Sequence, residues 1–529
     1  MEITRKNFNE ELENITKNIK LSCFVGFDAE FTAILAGECF KHRLFDSNKD
    51  RYDRMKNEVS KMIMTQVGLT MFQYDRNRDD YVAVGYTFHL CPQVFGDIDQ
   101  SFIFQASTLN FLCKHNFNFN KFTYEGLPYL SKAEENHIRQ QLKNKTLFDN
   151  LINTMEMAGE KKLQEYCSKV SKWITDDEED TLYLDVENPV MRYIVHNEVR
   201  QRFPNVLTTN SLGNSNKVLI YKDKYVEGAN AAPMAILEEN LMNDILGFSL
   251  IIELLAVHKK PIVGHNIFLD VILLHNQFIG PLPKNYEAFK KNIHNLLPMI
   301  FDTKYISHEM GRKLTFDEVW KSNALQDLYE FFSQRKCKKL EEGVNFIKLS
   351  TPFDVKQTYH EAGWDSYCSG YCFIRLGHWA ACEISGKYRA VAPAQKLAAL
   401  APYSNRVNVI RGAVPYMNLV DNDPPSHRPD LLHIKSMKER AINVGKVTSL
   451  FASFGAVDIK PYGNRTALIA AGTHYTADKI LKQFKNNKEY RITPFSVFKH
   501  SPAGRVSIWS SALITGSILL FFLHRRVNK

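Results

Sequence analysis

Hydrophobic positions recur at helical or strand spacing along the first part of the chain. Phe8, Leu12, Ile15 and Ile19 are three or four positions apart, which predicts an amphipathic helix at the N-terminus. This segment is polar and has no continuous apolar core, so it does not have the pattern of a signal peptide. An apolar run over residues 21–32 follows and predicts a strand that ends in acidic side chains.

The next hydrophobic runs indicate a sheet covered by helices. Residues 61–73 and 81–90 are two strand-length runs joined by a short polar turn, which predicts a β-meander. Later in the chain, a helical pattern over 241–257 precedes a short buried strand at 261–264 and a helix at 266–278. Strands that alternate with helices are typical of an α/β fold.

The segment between these two blocks has a different pattern. Residues 160–238 are highly charged and mostly helical, and we predict a helical insertion that divides an α/β domain into residues 1–159 and 239–410. Arg192 and His196 lie four positions apart on one predicted helix, the RxxxH spacing of a small module that binds single-stranded nucleic acid. A pair of surface side chains is the commoner explanation of one RxxxH string.

A second, smaller domain is predicted near the C-terminus. Residues 402–429 contain five prolines and have the composition of a linker, whereas residues 430–500 follow a β-α-β-β-α-β pattern typical of an RRM-like α+β domain. RNA-binding RRMs stack bases on exposed strand aromatics. Tyr462 is the candidate here and the segment has no tryptophan, so we expect a structural or docking role with weak RNA contact at most.

The C-terminal segment predicts a membrane anchor. Residues 506–523 carry no charged side chain and have basic residues on both sides. A helix needs about 20 apolar residues, range ~17–25, to cross a bilayer, so we predict one transmembrane helix, with a buried core helix as the alternative. Without a signal peptide this helix is a tail anchor, and the preceding chain faces the cytosol. Its basic flanks favour the mitochondrial outer membrane over the endoplasmic reticulum membrane.

Composition adds little to this outline. The 529 residues suggest about three domains, and 44% hydrophobic and 24% charged residues are ordinary for a folded protein. A net charge of +9 permits a polyanionic partner without requiring one. The nine cysteines include no CxxC pair, which favours reduced thiols over a zinc site.

Two carboxylates end the first strand. The motif FDAEF places Asp28 and Glu30 two positions apart, and both side chains lie on the same face because side chains alternate along a strand. An unpaired carboxylate beside an apolar run is costly, so the pair needs a partner. Taken alone, a DxE string is more often a turn with two solvated acids, and its companions make it specific.

Two later motifs supply further acidic side chains. In GHNIFLD, Asp270 lies one turn into a helix predicted to start near Asn266, a favourable N-cap. In HEAGWDSYCSG, His360 precedes Asp365 by five residues at the start of another helix, and Glu361 is interpreted as a solvated neighbour. Each motif alone is explained by a capped helix or a structural histidine.

The order DxE, NxxxD and HxxxxD resembles that of the DEDDh exonuclease superfamily. The resemblance implies an RNase H-like sheet on which Asp28, Glu30, Asp270 and Asp365 converge. Four carboxylates are suited to two divalent cations ~3.5–4 Å apart, and we expect Mg²⁺, with Mn²⁺ as the alternative. We expect His360 to act as the base that takes the proton from the attacking water, since histidine titrates near neutrality.

Several segments resemble one family in that superfamily, the poly(A)-specific ribonuclease (PARN) family. The matching segments, spread in the family's order over roughly residues 20–405, are FVGFDAEFT, QVGLTMFQYD, FQASTLNFLCKHNFNFNKF, GLPYL, GHNIFLD, FDTKYI and HEAGWDSY. The segment from FQAS to FNFNKF has no general nuclease meaning and is therefore the family-specific signal. The resemblance implies a metal-dependent 3′→5′ exoribonuclease.

The terminal apolar segment, the RRM-like domain without tryptophan and the degenerate RxxxH module resemble the pre-piRNA trimmer branch of that family. That branch implies trimming of the 3′ ends of PIWI-bound piRNA precursors, with release of 5′-monophosphates. It also implies a PIWI-clade Argonaute and a Tudor-domain adaptor as partners, and the family implies a homodimer. A deadenylase of mRNA or small non-coding RNA is the alternative, and an inactive RNA-binding scaffold is the second alternative.

Two further side chains are candidates for substrate contact. Phe31 follows the DxE pair and is placed to stack on the terminal base, with core packing as the equal alternative. Lys304 in FDTK is a candidate for a backbone phosphate contact, with an ordinary surface lysine as the alternative. Asp302 in the same motif is expected to be structural.

Overall fold

The computed structural model describes residues 1–33, 43–176, 179–211, 214–222, 233–313, 320–334, 344–350, 358–387, 389–439, 441–501, 510 and 515–518. The chain divides into two compact units. The first comprises Met1–Ala36, Asp53–Asn408 and Asn418–Asp421, and the second comprises Gly37–Tyr52, Val409–Met417 and Asn422–Lys529.

The described strands are β1 (Glu2–Ile3), β2 (Phe24–Phe31), β3 (Met64–Asp75), β4 (Asp80–His89), β5 (Thr181–Asp185), β6 (Val206–Ser211), β7 (Asn214–Lys222), β8 (Ile262–Gly264), β9 (Ile300–Asp302), β10 (Ile347–Leu349), β11 (Arg406–Asn408), β12 (Tyr416–Asn418), β13 (Leu432–Ser436), β14 (Val457–Gly463), β15 (Thr466–Ala471) and β16 (Tyr490–Pro494).

The described α-helices are α1 (Phe8–Leu21), α2 (Asn48–Val59), α3 (Ala106–Lys114), α4 (Phe119–Glu125), α5 (Lys132–Lys143), α6 (Leu147–Asn153), α7 (Met157–Asp176), α8 (Pro189–Arg202), α9 (Met234–Leu246), α10 (Phe248–His258), α11 (Phe268–Leu274), α12 (Tyr286–Leu296), α13 (Thr303–Gly311), α14 (Leu325–Ser333), α15 (Ala362–Ser385), α16 (Pro393–Leu400), α17 (Val444–Phe451), α18 (His474–Gln483) and α19 (Val497–His500). One π-helical turn, His275–Ile279, extends α11, and short 3₁₀ turns cover Ala401–Tyr403 and Ala452–Phe454.

The main sheet confirms the expected RNase H-like arrangement. Its strands run in the order β1-β4-β3-β2-β8-β9-β11, and β10 pairs with β4. Strand β3 is antiparallel to both β2 and β4, as the predicted meander requires, whereas β2, β8 and β9 are parallel neighbours. The prediction of a linker over 402–429 is partly wrong, because β11 and β12 lie inside that range. Proline excludes only the strand positions where an N–H is needed.

Helix α15 lies directly on β2 and β3 and closes the core on that side. Two glycines allow this approach. A Cβ at Gly68 would collide with the carbonyl oxygen of Ala362, and a Cβ at Gly26 would collide with that of Ser366. The first turn of α15 therefore rests on the sheet beside the acidic end of β2.

The insertion contains more than the predicted helices. Strands β5, β7 and β6 form an antiparallel sheet in that order, and α7 and α8 belong to the same hydrophobic core. The boundaries at residues 160 and 239 stay predictions.

Arg192 and His196 on α8 are both buried, so their interpretation as a surface pair is wrong. Arg192 forms an ion pair of 2.8 Å with Asp244. His196 Nδ1 lies 2.8 Å from Thr208 Oγ1, and burial lowers the pKa of this histidine to about 4. Both side chains hold α8 in the interior.

On the residues that the structure describes, the prediction of a transmembrane helix over 506–523 is wrong. No helix in the described ranges is long and apolar enough to span a bilayer. The predicted location as a tail-anchored protein of the mitochondrial outer membrane, or of the endoplasmic reticulum membrane, depended on this helix and is therefore also wrong. Of the segment itself, residues 510 and 515–518 are described, and the others lie outside the described residues.

Candidate active site

The acidic end of β2 forms one wall of the site. Asp28 pairs in register with Gly68 and Glu30 with Gln66 on β3, and the register shifts between Glu30 and Phe31. The two carboxylates lie two positions apart on one strand and therefore share a face, as predicted from the alternation of side chains. Glu30 is buried.

Asp270 approaches this wall from α11. We expected the helix to start near Asn266, but Asn266 has φ +64° and the helix begins at Phe268. The left-handed residue turns the chain between β8 and the helix, a conformation that asparagine tolerates better than most residues. Asp270 accepts a backbone hydrogen bond from Ala29, which joins the helix to β2 between the two acidic side chains.

Asp302 holds this turn in place. Its carboxylate is buried and accepts hydrogen bonds from the backbone N–H groups of Asn266 (2.8 Å), Ile267 (3.2 Å), Lys304 (3.0 Å) and Asn408 (2.9 Å). The structural role expected for Asp302 is therefore confirmed. It fixes the turn that positions Asp270.

The start of α15 supplies the remaining side chains. His360 has φ +68°, and its backbone N–H donates to Asp365 Oδ2 at 2.9 Å. The interpretation of Glu361 as a solvated neighbour is wrong. Glu361 is the N-cap of α15 and accepts from the N–H of Trp364 at 2.8 Å and from Thr87 Oγ1 at 2.9 Å. This tight turn points Asp365 toward β2.

These elements bring the predicted side chains together. Ligand atoms of Glu30, His360 and Asp365 all lie within 4.8 Å of one another. Burial raises the pKa of Asp28 well above its ordinary value, and the charges of Asp365 and Asp270 raise it further. Burial likewise raises the pKa of Glu30 well above its usual range, and those of Asp270 and Asp365 to about 7.

The cluster has the properties of a divalent cation site. In the described ranges, no lysine or arginine forms an ion pair with Asp28, Glu30, Asp270 or Asp365. Asp365 Oδ1 is buried and has no hydrogen-bond partner among the described atoms. Buried carboxylates without a cation are unfavourable, and hard oxygen donors are the ligands that Mg²⁺ and Mn²⁺ prefer. The residues present therefore fit a divalent metal.

Comparison with known proteins agrees with this chemistry. Residues 3–373 match the family described as CAF1 family ribonuclease. The chain belongs to this family. The ribonuclease is 62% identical to "Pre-piRNA 3′-exonuclease trimmer" of Bombyx mori over 99% of both chains. It is 28% identical to "Poly(A)-specific ribonuclease PNLDC1" of Mus musculus over 99% of both chains. It is 25% identical to "Poly(A)-specific ribonuclease PARN" of Homo sapiens, covering 94% of this chain and 80% of the other.

The ribonuclease places two aromatic side chains against His360 that sequence reasoning missed. The ring of His115 lies 4.4 Å from that of His360, and the ring of Phe111 lies 4.9 Å from it, both edge to face. Burial and then His115 lower the pKa of His360, which favours the neutral imidazole. The FQAS–FNFNKF segment carries both residues, but only the fold shows which of its side chains face the site.

The two predicted substrate contacts have different surroundings. Phe31 is partly exposed at the end of β2, directly after the acidic pair. Lys304 lies in the first turn of α13, beside Asp302 and His265, and burial lowers its pKa. No described contact links Lys304 to the four carboxylates.

Proposed function

We propose that this CAF1-family ribonuclease is a metal-dependent 3′→5′ exoribonuclease that trims the 3′ ends of PIWI-bound piRNA precursors and releases 5′-monophosphates. The observation that carries the proposal is the buried, unneutralised carboxylate cluster beside His360. The choice of substrate is supported by the 62% identity to a pre-piRNA 3′-exonuclease over the whole chain.

Each residue of the cluster has a distinct role in this proposal. Asp28, Glu30, Asp270 and Asp365 would hold two Mg²⁺ ions, with Mn²⁺ as an alternative. When bound, these cations would favour ionisation of the attacking water and would stabilise the charge that develops on the scissile phosphate and the leaving 3′-oxygen. The neutral imidazole of His360 takes the proton of that water.

His360 is oriented for this role by the chain around it. Its backbone N–H is tied to Asp365, which fixes the residue next to the cluster. The rings of Phe111 and His115 restrict its side chain from the other side. A catalytic base that is already held in one orientation loses less conformational entropy when the reaction geometry forms.

The RNA 3′ end is proposed to lie over the end of β2. Phe31, partly exposed at that position, stacks on the terminal base. Lys304 contacts a backbone phosphate further from the cleaved bond. A PIWI-clade Argonaute, a Tudor-domain adaptor and a second copy of the chain are the proposed protein partners.

A purified enzyme tests the chemical part of the proposal. Wild-type protein with Mg²⁺ is expected to shorten a 5′-labelled single-stranded RNA with a 3′-hydroxyl, one nucleotide at a time, and EDTA is expected to stop it. Asp28→Ala should lower the rate by at least about 10³-fold, because it removes a ligand from the metal site. Asp99→Ala, a change at an exposed aspartate away from the cluster, is the matched control. Equal activity of wild type and Asp28→Ala would overturn the proposal.

A deadenylase is the second candidate, since the relatives of lower identity are named poly(A)-specific ribonucleases. Oligo(A) and a mixed-sequence RNA of the same length distinguish the two functions. A deadenylase prefers oligo(A) strongly, whereas a trimmer shortens both and acts on precursors loaded in a PIWI protein. If the protein is a trimmer, its depletion from cells should leave one class of small RNA with extended 3′ ends and should not lengthen mRNA tails.

A further inference from the structure

Most of the excess positive charge of the chain lies in one small module. Residues 430–500 contain twelve lysines and arginines but only five aspartates and glutamates, whereas the whole chain has a net charge of +9. In this module β14, β15, β13 and β16 form an antiparallel sheet in that order, and the β-α-β-β-α-β pattern is confirmed. Concentrated charge of one sign attracts a polyanion to the surface that carries it.

The sheet surface that an RRM uses for RNA is partly covered in this module, around His433. Leu432 and Ile434 on β13 point into the core with the helices, so His433 between them faces the other side of the sheet. The ring of His500 on α19 stacks on His433 with centroids 4.2 Å apart, and Phe495 stacks on His500 at 5.6 Å. The segment that follows β16 therefore packs on the part of this face around His433.

Tyr462, the predicted base-stacking residue, contacts the same group of rings around His433. Its ring lies edge to face against Phe495 at 5.5 Å and against His433 at 6.2 Å. Stacking of bases on the sheet would require these contacts to be broken. Lys435, Lys460 and Arg491 stay exposed on these strands, and helix α18 carries a second group of basic side chains.

Helix α18 presents a basic surface with an exposed aromatic ring. Ala477 and Ile480 point into the core, while Tyr475 is 74% exposed on the outer side. Tyr475, Lys479 and Lys482 are separated by four and three positions and form one stripe along the helix. Lys485 is exposed just after the helix ends. We call Tyr475, Lys479, Lys482 and Lys485 the α18 face.

The lysines of the α18 face have few partners in the module: the exposed Asp478 lies beside them on the same helix, and Lys479 Nζ lies 5.5 Å from the ring centroid of Phe454. None of the three forms an ion pair with a carboxylate that the structure describes. Lys446 on α17 is different, since it pairs with Glu439 at 3.1 Å and with Glu489 at 2.8 Å. Exposed lysines at regular spacing beside an exposed tyrosine are the combination that single-stranded nucleic acids contact, through phosphates and a stacked base.

We propose that the α18 face, and not the sheet of the module, binds the body of the single-stranded RNA. This inference rests on the proposed function in one respect: the RNA that the α18 face binds is the same strand whose 3′ end is trimmed. Lys479, Lys482 and Lys485 contact phosphates, and Tyr475 stacks on a base. An acidic protein segment is the competing occupant, and the experiment below distinguishes it.

The test measures binding of a 30-nucleotide RNA to the full chain in EDTA by fluorescence anisotropy over a range of salt concentrations. Each phosphate contact of a single strand contributes about 0.7 to the slope of log K against log salt. The triple variant K479Q/K482Q/K485Q should lose about 2 from that slope, which corresponds to roughly 100-fold weaker binding at 0.1 M salt. The triple arginine variant at the same positions should keep the wild-type slope.

Matched changes on another helix control for net charge. The variant K161Q/K169Q/K172Q removes three exposed lysines from α7 and should leave most of the slope in place. An unchanged slope in the α18 variant, or an equal loss in both variants, overturns the proposal. Binding of polyglutamate as tight as that of RNA also overturns it. If the wild-type protein binds RNA through the α18 face but does not shorten any RNA in Mg²⁺, the proposed function is refuted. The proposal for the α18 face is still supported in that case.

Discussion

Replacing Asp365 by asparagine should stabilise the metal-free protein while destroying its activity. Burial raises the pKa of Asp365 from the ordinary value of 3.8 to about 7. Each pH unit of such a difference is worth about 1.4 kcal/mol, so the ionised side chain costs the folded state up to about 4 kcal/mol. Asparagine carries no charge and keeps an oxygen for the hydrogen bond from the His360 N–H.

The sign of the pH dependence follows from the raised pKa. A folded state with the higher pKa holds the proton more tightly than the unfolded chain, so the carboxyl stabilises below pH 4 and this contribution is lost as pH rises to 7. The advantage of Asp365→Asn over wild type should therefore be absent at pH 4 and complete at pH 8. Saturating Mg²⁺ should reverse the order at pH 8, because a bound ligand stabilises only the wild-type site.

Urea unfolding in EDTA at pH 4, 6 and 8 provides the measurement, with intrinsic tryptophan fluorescence as the readout. Asp99→Asn, at an exposed aspartate, should change the free energy of unfolding by less than about 0.5 kcal/mol at each pH. A variant Asp365→Asn that is less stable than wild type at pH 8 would refute the reasoning. A gain of the same size at pH 4 and pH 8 would refute it as well.

The remaining predictions concern the supports of the site and of the insertion. Gly68→Ala should destabilise the fold by about 1–3 kcal/mol in urea unfolding and lower activity, because its Cβ would push α15 away from β3. Arg192→Ala should cost about 2 kcal/mol, since it removes a buried arginine and its ion pair with the partly exposed Asp244; a loss below about 0.5 kcal/mol would contradict the contact. His115→Ala should lower kcat about tenfold with little change in KM, and His115→Phe should restore most of it, because the ring restrains His360.

Local pattern was enough to predict the parts of the molecule that depend on nearest neighbours along the chain. Alternation along β2 placed Asp28 and Glu30 on one face, and the hydrophobic runs predicted the meander of β3 and β4. The β-α-β-β-α-β pattern of residues 430–500 was likewise readable, since its turns and amphipathic segments are short-range features. The order of three acidic motifs was sufficient to expect a metal site.

Only the tertiary structure decided what each side chain touches. Glu361 became a helix cap, and Arg192 and His196 turned out to be interior residues that hold α8. His115 lies against His360, although far from it in sequence. The apolar composition of residues 506–523 led to a membrane helix that the described chain does not show. Periodicity determines which face of an element is apolar, but burial and charge depend on partners that are distant in sequence and are brought together by packing of the whole chain.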